Sequence, residues 1–116
     1  MLPTKNRLRT SKEFALTTKT GVRATSTSLV LYLASTQNAT GENAAPKIGL
    51  IVNKSVGGSV TRHRVSRQLR HLISAYLEQL PKNSLLVIRV LRPQADFADD
   101  LAKLVLKLTE KNMVGA

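Results

Sequence analysis

Two periods of apolar residues alternate along this chain, one matching the pleat of a strand and one the turn of a helix. Leu29, Leu31 and Leu33 interleave with Val30, Tyr32 and Ala34, which predicts a strand over residues 28–34 with both faces at least partly covered. Ile48, Leu50, Ile51 and Val52 predict a second strand over 47–53, and residues 85–91 a third, closed by Arg92 and Pro93. The polar stretch from Ser35 to Pro46, with Gly41 inside it, reads as an exposed loop joining the first two.

The helical period is clearest in Val65, Leu69, Leu72, Ile73, Tyr76 and Leu80, which form one stripe. Gly57 and Gly58 break the strand before it, Ser59 is placed to cap the helix, and Pro81 ends it. Phe97, Leu101, Leu104, Val105 and Leu108 stripe a last helix, with Asp96, Asp99 and Asp100 in its first turn. A short helix near the N-terminus takes Ser11 as its cap, carries Glu13 and Phe14 in the following turn, runs to Lys19 and ends at Gly21. The order is helix, two or three strands, long helix, strand, helix. It predicts an α+β or α/β sandwich in which helices pack on a small sheet.

A chain of 116 residues accommodates one domain, residues 1–116, and two independent cores would be unusually small. The absence of Cys excludes disulfide scaffolds, thiolate metal sites and Cys nucleophiles. The longest apolar run, Leu29 to Ala34, is far short of the roughly 20 residues that span a bilayer. The N-terminal stretch has charge but no apolar region behind it, so no secretory signal is expected and the location expected is cytoplasmic. Charge changes the picture most. The net is +11, and residues 1–92 hold 15 Lys+Arg against 3 acids. Self-repulsion of that size is usually tolerated for a polyanionic partner, with nucleic acid ahead of a membrane surface.

Catalytic chemistry is sparse. His63 and His71 stand eight residues apart on one helix, about 12 Å along its axis. Asp96, Asp99 and Asp100 complement a helix dipole without needing a metal, and Glu13 and Glu78 read as solvated. The segment Arg62 to Arg70 differs in kind: four of its nine residues are Arg, and His63 adds a donor. The guanidinium fork grips phosphate bidentately, and a merely solvated helix face would interleave acids, yet no acid lies between Glu42 and Glu78. Lys54 extends the patch, and the glycines ahead of the helix leave its first amides open to an anion. A helix-turn-helix DNA binder would need a second short helix just before Val60, and an autonomous nuclease would need convergent acids or histidines.

Val56-Gly57-Gly58-Ser59-Val60-Thr61-Arg62-His63-Arg64-Val65-Ser66-Arg67-Gln68-Leu69-Arg70 resembles the signature of the bacterial ribonuclease P protein subunit family, a valine–glycine turn followed by an Arg-Asn-Arg helix. Asn6-Arg7-Leu8 with Glu13-Phe14 and Gly21, Leu29 to Tyr32, Ile48 to Val52 with Lys54, and Leu86 to Arg89 extend the resemblance over residues 5–110. The chain departs from the pattern at His63 (usually Asn), Ser55 (Lys), Gly58 (Asn), Ser66 (basic) and Thr18 (aromatic).

The resemblance implies a four-stranded sheet packed with helices, like a domain of a small-subunit ribosomal protein, with a left-handed βαβ crossover. General rules predict the opposite hand for such a crossover. It also implies no catalytic residues in this chain: the RNA subunit hydrolyses precursor tRNA using Mg2+ bound mainly by RNA and substrate, and no protein metal ligands are specified. Lys54, Arg62, His63, Arg64, Arg67 and Arg70 are expected to contact ribonuclease P RNA. Phe14, Tyr32, Lys5, Arg7, Arg9 and Lys12 are expected at a cleft for the single-stranded 5′ leader. No membrane or protein partner is implied, and the alternative is a ribosomal or other structural RNA-binding protein. The charge itself generates a test. Sulfate or phosphate should raise the melting temperature more than chloride at equal ionic strength, because bound anions relieve the repulsion; identical melting curves would refute this.

Overall fold

The computed structural model of the chain describes residue 8 and residues 11–35, 46–80, 84–94 and 96–114. Its elements are α1 (Ser11–Thr20), β1 (Val22–Thr25), β2 (Leu29–Ser35), β3 (Lys47–Ile51), a 3-10 turn (Lys54–Val56), α2 (Ser59–Ser74), a second 3-10 turn (Leu77–Gln79), β4 (Ser84–Val90) and α3 (Ala98–Val114). The strands form one mixed sheet in the order β1-β2-β4-β3, antiparallel except for the parallel pair β3 and β4. The last strand is therefore inserted between the second and third, and α2 is the crossover that makes this insertion. This is the expected α+β domain: three helices on a four-stranded sheet.

Strand alternation separates two cores. On one face Leu29, Leu31 and Leu33 of β2, Leu86, Ile88 and Val90 of β4, Ile48 of β3 and Ala24 of β1 meet α2 and α3. Val65, Leu69 and Ile73 come from α2, and Phe97, Leu101, Leu104, Val105 and Leu108 from α3, all buried as their spacing predicts. On the other face Leu85 and Val87 of β4 pack with Leu8, Phe14, Tyr32 and Ile51 beneath α1. Both faces of β2 and β4 are thus covered. Truncating a buried leucine in such a layer costs about 2–5 kcal/mol. The ion pair of Glu13 Oε2 with Lys47 Nζ, 3.6 Å across α1 and β3, is part-exposed and contributes about 0–1 kcal/mol. Layer packing outweighs charge pairing here. The pair also corrects the reading of Glu13 as merely solvated.

Three local expectations are revised. Strand β1 forms although its sequence, Val22-Arg23-Ala24-Thr25, shows no sustained apolar alternation; only Ala24 is buried, as suits a short edge strand. The long helix stops at Ser74 instead of reaching Leu80. Bonds three residues back, from the amides of Ala75, Tyr76, Gln79 and Leu80 to the carbonyls of Leu72, Ile73, Tyr76 and Leu77, tighten the chain and return Leu80 to the core. Finally, Gly58 and not Ser59 occupies the cap position. Its backbone is extended, its carbonyl accepts from the Arg62 amide at 2.9 Å, and no side chain caps the helix. Ahead of it Gly57 has φ +154°, a conformation that L side chains rarely adopt.

Two of the three aspartates at the start of α3 have separate work. Asp96 Oδ1 accepts from the Ala98 amide at 2.8 Å. Asp100 Oδ2 accepts from Ser28 Oγ at 2.7 Å, Ser26 Oγ at 3.2 Å and Gln94 Nε2 at 3.3 Å, fastening α3 to the β1–β2 turn. These bonds, that of Ser28 first, hold the Asp100 carboxyl below its ordinary 3.8 against the opposing effect of desolvation, with Lys103 adding a smaller pull. Because the folded value is depressed, the stabilisation is present above the unfolded value and is lost as pH falls through the folded one. Asp100→Ala should cost roughly 1–2 kcal/mol at neutral pH. The gap from wild type should narrow once the pH drops below about 4. Chemical denaturation at a series of pH values checks this, and a gap independent of pH would contradict it.

Candidate nucleic-acid interface

The cations of α2 are sorted by helical geometry. Val65, Leu69 and Ile73 face the sheet, so residues on the opposite side must face water. His63, Arg67 and Arg70 follow one another at i, i+4 and i+7 on that side, with Arg64 and His71 beside them; all five are exposed. No acid lies anywhere in α2. Arg62 differs: it lies half-buried near the core side, and its Nε is enclosed without a hydrogen-bond partner. Lys54 is exposed on the 3-10 turn, whose carbonyl it lends to the Gly57 amide at 3.1 Å. Only the residues from Val52 to Gly58 separate β3 from α2, so Lys54 and the N-terminus of the arginine helix stand together at the end of β3. The sequence grouping of these cations is therefore also a grouping in space.

The second part of the candidate site lies on the opposite face of the sheet. Phe14 of α1 and Tyr32 of β2 are half-buried against Leu8, Leu85 and Val87, so each ring has one part in the small core and one toward solvent. Helix α1 is tethered over this face by the Glu13–Lys47 pair and by the Leu8 amide, which donates to the Ile48 carbonyl at 2.9 Å. Lys12 is exposed on α1. Lys5, Arg7 and Arg9 lie outside the described residues. Thr18, one turn beyond Phe14, turns its hydroxyl back to the carbonyls of Phe14 (3.0 Å) and Ala15 (3.2 Å), so α1 presents one ring to the groove there, not two.

Two exposed cations on this face were not among the sequence candidates. Arg89 of β4 shares the face of Leu85 and Val87 and pairs with Ile51 of β3 and Val30 of β2. Arg23 of β1 pairs with Tyr32. The alternation of β4 could have found Arg89, since a charge in phase with Leu85 and Val87 must stand where that face is uncovered. Arg23 had no such signal, because β1 itself was not legible. Among the described residues no three His, Asp or Glu side chains come together as a cation site. Among those residues, too, no helix is long and apolar enough to cross a membrane.

Comparison with known proteins identifies the family. The family model described as Ribonuclease P matches residues 2–111. The ribonuclease P protein component of Corynebacterium diphtheriae is 43% identical over 97 residues, 82% of either chain. That of Streptomyces bikiniensis is 47% identical over 103 residues, 85% of this chain and 83% of the relative. Among solved structures, a Staphylococcus aureus RNase P protein superposes with a TM-score of 0.67 at 15% identity, covering 92% of this chain and 94% of that one. The RNase P protein from Thermotoga maritima gives 0.60 at 18% identity, covering 92% and 91%. The structural likeness carries the fold, the sequence likeness spans most of both chains, and together they establish that this chain belongs to the ribonuclease P protein family.

Proposed function

We propose that the chain is the protein subunit of a ribonucleoprotein ribonuclease P, which removes the 5′ leader of precursor tRNA in the cytoplasm. The observation that carries this reading is the acid-free, exposed cation face of α2, on a sheet whose other face carries two half-exposed rings. Arg64, Arg67, Arg70 and His63, with Lys54 beside them, contact phosphates of the catalytic RNA. Their charge lowers the repulsion between two polyanions that must lie side by side. Arg62 adds charge at the helix start, where its half-buried stem limits its reach. The RNA subunit performs the hydrolysis, and the magnesium ions it needs are bound mainly by that RNA and the substrate.

The groove under α1 receives the single-stranded leader. Phe14 and Tyr32 offer aromatic faces to its bases, each stacked base being worth about 1–3 kcal/mol. Lys12 supplies a phosphate contact at the mouth, and Lys5, Arg7 and Arg9 are assigned the same role on sequence grounds. The chain's residues thus bind, orient and neutralise, and none of them moves a proton in the reaction.

Precursor-tRNA cleavage at low magnesium, with a bacterial ribonuclease P RNA, tests the reading. Wild-type protein should restore 5′ maturation, and the triple variant Arg64→Ala, Arg67→Ala, Arg70→Ala should not; Arg62 is retained because its half-buried side chain would confound stability with binding. The protein without the RNA subunit should leave the substrate intact. If it binds RNA yet does not stimulate cleavage, a structural RNA-binding role replaces the proposal. A second outcome follows from counterion release. The slope of log affinity for the RNA subunit against log salt should fall by roughly one for each of the three arginines removed, as measured by filter binding.

A further inference from the structure

Gly49 occupies the middle of β3, in register with Val87 of β4, on the face covered by α1. Its backbone is ordinary strand and not left-handed, so conformational freedom is not what the position requires. Space is. A Cβ at this position would lie 2.5 Å from both Cε1 and Cζ of Phe14, and 3.3 Å from the Cβ of Leu8. Real side-chain carbons do not approach so closely, so the far edge of the Phe14 ring rests directly on the glycine backbone.

The surroundings determine what would yield if the seat were filled. Two contacts hold this region over β3 just ahead of Gly49: Lys47 pairs with Glu13 of α1, and the Ile48 carbonyl accepts from the Leu8 amide. Gly49 itself is locked into the parallel ladder with β4. The free coordinate is the Phe14 side chain, whose two torsions swing the ring away from the strand. Leu8 has only to give by a few tenths of an ångström.

We propose that Gly49 is a positioning residue for Phe14: its missing side chain sets how deep the ring sits in the groove, and hence where a leader base stacks. The inference rests on the leader-groove reading above. It adds a residue that touches no RNA and carries no chemistry of its own. A methyl group at this position lifts the ring from its seat while the sheet ladder and the arginine helix remain as they are.

The test uses the holoenzyme assembled on a bacterial ribonuclease P RNA. It compares affinity for precursor tRNA with affinity for the same tRNA lacking its leader, so that the ratio isolates the leader's contribution. Gly49→Ala should reduce that ratio about tenfold, equivalent to roughly 1.4 kcal/mol, the scale of one stacked base. Phe14→Ala should reduce it similarly, and the double variant should be no worse than Phe14→Ala alone, because the two act through one contact. A Gly49→Ala protein that keeps the full ratio, or a double variant that loses the product of the two single losses, overturns the proposal.

Phe14→Leu in the Gly49→Ala background separates seating from stability. The shorter side chain relieves the collision, so the melting temperature should recover while the ratio stays low. If Gly49→Ala alone does not fold and Phe14→Leu fails to rescue it, the ring is not what the glycine accommodates and the proposal falls. A wild-type holoenzyme indifferent to the leader would instead refute the groove reading itself, an outcome visible before any variant is compared.

Discussion

Burial of β4 on both faces and both edges is the constraint on which the other elements depend. Leu86, Ile88 and Val90 face α2 and α3, while Leu85 and Val87 face α1. Its hydrogen-bonding edges are occupied by β2 on one side and β3 on the other. A strand so enclosed leaves no polar backbone to water and no apolar side chain uncovered. It is also the last of the four strands in sequence, yet it lies between the second and the third. Helix α2 is the segment that spans this insertion, and its apolar stripe is therefore pinned to the sheet. Pinning the stripe dictates which way the arginines point.

The two halves of the candidate interface follow from this arrangement by different routes. The α2 cations are external because the opposite side of the helix is committed to the core, and they are concentrated because no acid interrupts them. The rings of Phe14 and Tyr32 stay half-exposed because α1 covers the second face only in part. Leu85 and Val87 are fully enclosed, whereas Phe14, Tyr32 and Ile51 are half-buried and Arg89 is exposed. A groove that is apolar at its floor and cationic at its uncovered end suits a flexible, single-stranded polyanion, whose bases stack and whose phosphates need countercharge. The arginine helix suits a folded RNA surface, where guanidinium forks meet a fixed array of phosphates.

The fastening of α3 is of another kind. Asp100 gathers three donors from the β1–β2 turn and the segment before the helix. Asp96 and Asp100 serve the fold, and they lie in the part of the chain that carries little positive charge, with 4 acids and 3 Lys in residues 93–116.

The sequence by itself determined the features carried by long, regular periods. The stripe Val65–Leu69–Ile73 was legible because a helix long enough to repeat its pattern leaves little ambiguity. The same holds for Phe97 to Leu108, and for β2 and β4, whose apolar runs are nearly continuous. The arginine cluster was legible because a helix whose buried face is known has a known exposed face. Only the tertiary structure decided the rest. Strand β1 has four residues and one buried side chain, too little to stand out before β2 is beside it. The end of α2 at Ser74 depends on how Leu80 reaches the core, a contact between distant segments. Above all, the nearness of Gly49 to Phe14 relates positions 35 residues apart. A glycine in a strand has no periodicity to report, and its purpose is visible only when another element is placed upon it.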